Sequence, residues 1–126
     1  GAWMNGQRIQ VSAIGDLSQS VICFNGINEP AQSPLRARFL EWVRPCWAFR
    51  CYGGALDAML VASGKAEAWI ESSAKPWDLA PLLVIAEEAG ARFFNHGGGR
   101  SVYGGNCVIC VPALEGAVRD LLEMAP

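Results

Sequence analysis

Short apolar runs and longer periodic stretches alternate along this chain. Short runs bounded by turn residues predict β-strands, and they cover 18–24, 47–51, 66–71, 91–95 and 106–111. Longer periodic stretches predict helices over 34–44, 55–63 and 79–89, with a last one opening at Pro112. The stretch 79–89 is apolar on nearly all sides, so we expect that helix to be buried between layers. Strands that alternate with helices predict an α/β fold with a sheet covered on both faces, a three-layer α/β/α domain.

The amino-terminal segment carries the strongest short signal for a hairpin, Asn5-Gly6. Ile9 and Val11 alternate with polar residues after it, as in a half-buried strand. A hairpin at this position predicts an antiparallel edge, so we expect a mixed, mostly parallel sheet.

The connection between the strand ending at Glu71 and the helix of 79–89 has a carboxylate at each end, Glu71 and Asp78. Ligands of open α/β sheets bind at this edge. Asp78 has two interpretations. It could cap the helix, with Pro81 in the first turn, or it could bind a metal ion. Residue type alone favours the cap.

A second candidate is Arg50 followed by Gly53, Gly54 and Ala55 at the start of a predicted helix. A glycine pair at a helix N-terminus lets backbone N–H groups approach an anion or a hydroxyl closely. The commoner explanation of such a pair is a tight strand-to-helix turn.

Composition narrows the class of protein. A chain of 126 residues fits one domain, 1–126, and it is 52% hydrophobic and 17% charged. The net charge of −2 shows none of the excess positive charge that is typical of nucleic-acid-binding proteins. No apolar run reaches the length of a membrane span. The first ten residues lack the apolar centre of a secretory signal, so we predict a cytoplasmic protein.

Five cysteines, an odd number, indicate reduced thiols of an intracellular protein. Cys107 and Cys110 have redox or zinc spacing, but a strand would turn them to opposite faces of the sheet, and no second pair completes a zinc site. We therefore interpret them as core residues, and His96, beside three glycines, as a loop residue.

The motif Trp77-Asp78-x-Ala80 with Glu88-Ala89-Gly90 resembles the second signature of the inositol monophosphatase superfamily. The segment from Trp3 to Val11 resembles the family's stretch after its first metal signature. Arg50 with Gly53-Gly54-Ala55 resembles the substrate loop of the histidinol-phosphatase-like members. The three matches lie in the family's order and cover nearly the whole chain.

The resemblance implies the carboxy-terminal domain of a Mg²⁺-dependent phosphomonoesterase. It implies that Asp78 is a magnesium ligand, which reverses the preference above. It also implies that Arg50, Gly53, Gly54, Ala55 and Glu71 contact a sugar or polyol phosphate. Asp57 departs from the family's usual residue and receives no role.

The ligands that this family takes from its first half are missing, because the chain contains no Asp-Pro and hence no Asp-Pro-x-Asp-Gly loop. One carboxylate, Asp78, would hold hydrated Mg²⁺ only weakly. We therefore expect a stand-alone carboxy-terminal domain, inactive alone, with no catalytic residue of its own and a remaining role in phosphate-ester binding or in assembly.

Two other functions remain open. A partner chain that supplies the missing half could restore hydrolysis of an inositol phosphate or histidinol phosphate, or the chain could be a gene fragment with no selected activity. We also expect a homodimer through an exposed apolar surface. Its candidate contributors are Trp3, Met4 and the side of the first helix that carries Phe39 and Trp42.

Overall fold

The computed structural model describes residues 1–25 and 34–123, which form eleven regular strands and α-helices. The strands are β1 Trp3–Met4, β2 Gln7–Arg8, β3 Val21–Asn25, β4 Ala48–Arg50, β5 Ala68–Glu71, β6 Arg92–Phe94 and β7 Cys107–Cys110. The helices are α1 Pro34–Val43, α2 Gly54–Ala62, α3 Pro76–Glu88 and α4 Glu115–Glu123. Short 3-10 helices cover Leu17–Gln19 and Pro112–Leu114. Each of the five predicted apolar runs therefore overlaps a strand.

The main sheet has the order β4-β3-β5-β7-β6. Strands β4, β3 and β5 are parallel, whereas β7 runs antiparallel to both of its neighbours, so four of the five strands share one direction. The mixed, mostly parallel sheet is confirmed. The antiparallel edge expected from the opening hairpin is wrong, because that hairpin forms a separate ribbon and does not join the main sheet.

The predicted hairpin forms a separate two-stranded ribbon, in which Trp3 pairs with Arg8. Asn5 and Gly6 both have positive φ angles, 52° and 77°, as a two-residue turn of this kind requires. The expected strand through Ile9 and Val11 is absent from the ribbon, which ends at Arg8. The Val11 amide instead donates to the carbonyl of Ala89, which ties this segment to the end of α3.

Helices cover both faces of the sheet, as a three-layer fold requires. On one face, α1 and α4 bury Phe39, Val118 and Leu121 against Val108 and Cys110. On the other face, α2 and α3 bury apolar residues against the sheet, among them Ala58, Val61, Leu79, Leu82, Cys107 and Ile109. Cys107 and Cys110 thus lie on opposite faces of β7, which confirms the interpretation of both as core residues.

Helix α3 differs from the expectation in two ways. It begins at Pro76 rather than Leu79, so Pro81 lies in the helix interior and not in the first turn. It is also not surrounded by protein, since Trp77 and Val84 are exposed while Leu79 is fully buried. Apolar residues on several sides of this helix therefore reflect one core face and one exposed apolar face.

Candidate functional site

The parallel strands β3 and β5 end side by side, with Asn25 in register with Glu71. Asn25 Nδ2 donates to Glu71 Oε2 at 2.7 Å, and the Ser73 amide donates to Glu71 Oε1 at 3.0 Å. Only 3% of Glu71 is exposed. The strand end thus holds a buried carboxylate in a fixed orientation.

The electrostatic surroundings of Glu71 disfavour its charge. Burial raises the pKa of this carboxyl group above its usual value, although hydrogen bonds from Ser73 and Asn25 partly oppose the shift. The negative charge of Asp57 raises the pKa of Glu71 further. The site would therefore gain from a positive charge placed beside this carboxylate.

Asp78 is exposed in the first turn of α3. Its Oδ2 accepts from the Lys75 amide at 3.1 Å, and Lys75, not Asp78, occupies the N-cap position. The expectation of an N-cap aspartate is therefore wrong, because the helix starts earlier than the apolar pattern indicated. The carboxylate does satisfy one backbone donor at this helix start, from inside the first turn.

The glycine turn between β4 and α2 is built around a buried aspartate. Gly53 and Gly54 have φ angles of 105° and 46°, a region that side chains other than glycine adopt rarely. Asp57 is fully buried and accepts from the amides of Tyr52 at 3.2 Å and Gly53 at 3.0 Å. The Gly53 amide is thus engaged within the turn.

Sequence reasoning gave Asp57 no role, yet its carboxylate holds this turn in place. An acidic residue in the first turn of a predicted helix is a signal that could have identified it. Its two amide contacts join the end of β4 to the start of α2.

A cleft of about 480 Å³ lies between the carboxyl ends of the strands and the starts of α2 and α3. Its lining includes four of the predicted site residues, Gly54, Ala55, Glu71 and Asp78. The other described residues that line it are Asn25, Trp69, Ser73, Ala74, Trp77, Pro81 and Leu82. The strand-end position predicted for the site thus coincides with a concave surface.

The other two predicted residues, Arg50 and Gly53, do not line this cleft in the structure. Arg50 is exposed on the edge strand β4, and its Nη1 donates to the carbonyl of Phe49 at 2.8 Å. The arginine would have to leave that carbonyl to reach a ligand.

Magnesium prefers several oxygen ligands around it. Within residues 1–25 and 34–123, no three His, Cys, Asp or Glu side chains are placed to share a metal ion. Asp78 is one exposed carboxylate, and one carboxylate does not fit a complete magnesium site. The described residues alone therefore do not build a metal centre.

The thiols show no sign of activation. All five cysteines are free, and burial, together with the nearby charge of Asp57, raises the pKa of Cys23 to about 12. Burial likewise raises the pKa of Cys46 to about 11. High pKa values keep these thiols protonated and poorly nucleophilic.

In the described part of the chain, no helix has the length and apolar character needed to span a membrane.

The family model described as "Inositol monophosphatase family" matches residues 1–124. The chain therefore belongs to the inositol monophosphatase family. Histidinol-phosphatase of Chlorobaculum parvum is 34% identical over 86% of this chain and 42% of that protein. Nus factor SuhB of Vibrio cholerae is also 34% identical, over 89% of this chain and 43% of that protein.

Solved structures show the same relationship. Inositol monophosphatase II of Staphylococcus aureus has a TM-score of 0.84 at 28% identity, over 97% of this chain and 47% of that one. The suhB protein of Bartonella henselae has a TM-score of 0.85 at 24% identity, over 96% of this chain and 48% of that one, which shows the shared fold. The chain spans less than half the length of these relatives.

Proposed function

We propose that this chain forms one wall of a magnesium-dependent phosphomonoesterase site. In this proposal the cleft binds the alcohol portion of a phosphorylated small molecule through Glu71 and the first-turn amides of Gly54 and Ala55. Asp78 contributes one metal ligand at the mouth of the cleft. Arg50 and Gly53 belong to the surrounding turn, and Asp57 keeps that turn in position.

The observation that carries the proposal is the shared cleft. Gly54, Glu71 and Asp78 come from three separate elements, yet all line the same concave surface at the ends of the strands. Backbone amides at a helix N-terminus donate to hydroxyl or ester oxygens, and a carboxylate accepts from hydroxyl groups. Membership of the inositol monophosphatase family supports assigning this surface to phosphate esters.

The proposal also states that the chain alone does not hydrolyse esters, because the described residues supply too few metal ligands. The remaining ligands would come from polypeptide outside the described residues, in the same chain or in a partner chain.

The decisive experiment measures phosphate release with Mg²⁺ from inositol monophosphate, histidinol phosphate and an aryl phosphate. We expect none from the chain alone. We expect release after addition of the amino-terminal half of the Chlorobaculum parvum histidinol-phosphatase, the part that this chain does not match. That release should be lost in Asp78→Asn and kept in Asp16→Asn, which alters an exposed carboxylate remote in sequence.

Hydrolysis by the chain alone that disappears in Asp78→Asn would contradict the proposed ligand deficit. If neither the chain nor the mixture releases phosphate or binds an ester, the phosphomonoesterase proposal fails. An assembly module would then be the better proposal, since Trp3, Trp77 and Val84 leave apolar surface exposed. A fragment with no selected activity would show neither ester binding nor self-association.

A further inference from the structure

A second concave surface lies at the amino ends of the parallel strands β3, β4 and β5, and we call it the amino-end groove. Its volume is about 430 Å³. Val21 opens β3, Trp47 immediately precedes β4 and Glu67 immediately precedes β5, and all three residues line the groove. The cleft described above lies at the carboxyl ends of the same strands, so the amino-end groove is a separate site.

Glu67 brings a buried carboxylate to the amino-end groove. Only 3% of this residue is exposed, and its Oε1 accepts from Ser12 Oγ at 2.8 Å while its Oε2 accepts from the Val21 amide at 2.6 Å. Both donors are neutral, and no described lysine or arginine forms an ion pair with Glu67. A buried carboxylate without an opposite charge is costly, so a cationic group of a ligand would stabilise it.

Lys65 brings the opposite charge to the same groove. Its side chain forms no ion pair with Glu67 or with any other carboxylate that the structure describes. The backbone beneath it is fixed, because the Lys65 amide donates to the Leu60 carbonyl at 2.8 Å. Gly64, with a φ angle of 73°, packs so closely that a Cβ atom there would lie 2.9 Å from the Gln10 carbonyl oxygen. The groove therefore presents two opposite charges that do not neutralise each other.

The remaining wall of the amino-end groove is partly apolar. Trp47 is 69% exposed, although a large aromatic side chain gains free energy when it is covered. Ile14 and Val21 are half-buried and line the groove with it. A volume of about 430 Å³ suits a small molecule. A simple ion would satisfy only one of the two charges and would leave this apolar wall uncovered.

We propose that the amino-end groove binds a free α-amino acid with an apolar side chain. The ammonium group of the ligand pairs with Glu67, its carboxylate pairs with Lys65, and its side chain packs against Trp47. Such a molecule carries both charges and an apolar group at once, which matches the three features of the groove. Ser12 and Val21 already orient the Glu67 carboxylate, so little further ordering is needed when the ligand binds.

The test is an NMR titration of the full chain with L-phenylalanine, phenethylamine and hydrocinnamate. All three probes carry the same ring, but phenethylamine lacks the carboxylate and hydrocinnamate lacks the ammonium group. The signals followed are the Val21 amide, which donates to Glu67, and the Trp47 indole N–H. L-Phenylalanine should bind about tenfold or more tightly than either analogue, because each analogue loses one charge-assisted contact.

Variants assign each contact to one side chain. Glu67→Gln should remove the preference for L-phenylalanine over hydrocinnamate and keep the preference over phenethylamine. Lys65→Gln should do the reverse, and it remains informative if Glu67→Gln does not fold, because Lys65 is exposed. Lys75→Gln and Glu71→Gln are the matched controls, since they alter an exposed lysine and a buried glutamate outside the groove, and both should keep the two preferences.

Three outcomes would overturn the amino-acid site. The first is equal binding of the three probes, and the second is a pair of preferences that Glu67→Gln and Lys65→Gln leave unchanged. The third is the absence of any shift at the Val21 amide and the Trp47 indole N–H with L-phenylalanine. None of these outcomes concerns phosphate release, so this inference and the proposed function can fail independently.

Discussion

The raised pKa of Glu71 makes the free energy of unfolding depend on pH. Its folded-state pKa lies above the unfolded value of about 4.3, so the folded protein holds this proton more tightly. The stability from this group is complete below the unfolded pKa and is lost as pH rises through the folded pKa. Relative to Glu71→Gln, the parent should therefore lose unfolding free energy from about pH 4 upward, as measured by urea denaturation.

The contribution of Glu87 to the free energy of unfolding should change with pH in the opposite direction. The Arg100 guanidinium, 2.6 Å away, lowers the pKa of Glu87, so its contribution is present above the unfolded pKa and is lost as pH falls. The parent should thus gain stability relative to Glu87→Gln as pH rises toward the unfolded pKa of about 4.3, and should keep that stability at higher pH. Equal slopes for the two variants would show that net charge, rather than these local environments, controls the pH dependence.

Asp78 has a structural contribution that can be measured separately from metal binding. Its carboxylate accepts from the Lys75 amide in the first turn of α3, where a negative charge favours the helix. We expect Asp78→Ala to lower the free energy of unfolding by about 0.3–1 kcal/mol, measured without Mg²⁺. Asp78→Asn keeps an acceptor oxygen and should lose less. Identical losses would indicate that the lost charge, and not the hydrogen bond, matters.

At this scale the sequence identified the carboxylates but not their contacts. Glu71 and Asp78 were recognisable from their positions around one strand-to-helix connection and from a family motif. The burial of Asp57 and of the Trp69 side chain depends on packing between β5, α2 and α3. Residue type and spacing do not determine such packing.

Pro81 gives the clearest prediction for a single element. It lies in the interior of α3, where it lacks the N–H that would bond to the Trp77 carbonyl and where its ring crowds that carbonyl. Pro81→Ala should raise the free energy of unfolding by about 1–3 kcal/mol, after allowance for the more flexible unfolded chain. Thermal denaturation followed by circular dichroism measures this change.

Pro76→Ala is the matched control on the same helix. Pro76 occupies the first helical position, where no intrahelical acceptor exists for an N–H, so its replacement should change stability little or lower it slightly. A similar gain for both variants would mean that the interior position of Pro81 carries no special cost.

The elements differ in how far the sequence could predict them. The strands were found because β5 and β7 are buried on both faces and therefore appear as continuous apolar runs. The Asn5-Gly6 hairpin was found because its turn is local. The sheet order was not predicted, because the pairing of Trp69 with Ile109 joins residues far apart in the sequence.

The whole molecule exposes apolar side chains of the hairpin and of α3, namely Trp3 at 66%, Met4 at 40%, Trp77 at 73% and Val84 at 57%. Trp3, Met4 and Val84 also line one groove beside the end of α3. We propose that a second copy of this chain covers this surface, since a two-fold contact buries the same patch twice. Phe39 is excluded as a contributor because it is 1% exposed and packs in the core.

Light scattering coupled to gel filtration tests this proposal. The parent should elute with a mass above 13.5 kDa at high micromolar concentration, and a Trp3→Glu/Val84→Glu variant should return to that monomer mass. Tyr103→Glu is the control, because Tyr103 is 82% exposed and does not line the groove. A parent that stays at the monomer mass would refute the self-association.

The position of β7 between β5 and β6 has a consequence for synthesis on the ribosome. Both neighbours of β7 precede it in the chain, so β5 and β6 leave the exit tunnel before the strand that joins them. Until β7 emerges, each has an unpaired edge, and such edges associate readily with other chains. Long-range pairing of this kind also slows folding. The nascent chain is therefore most exposed to misassembly during the interval between β6 and β7, when chaperone protection would matter most.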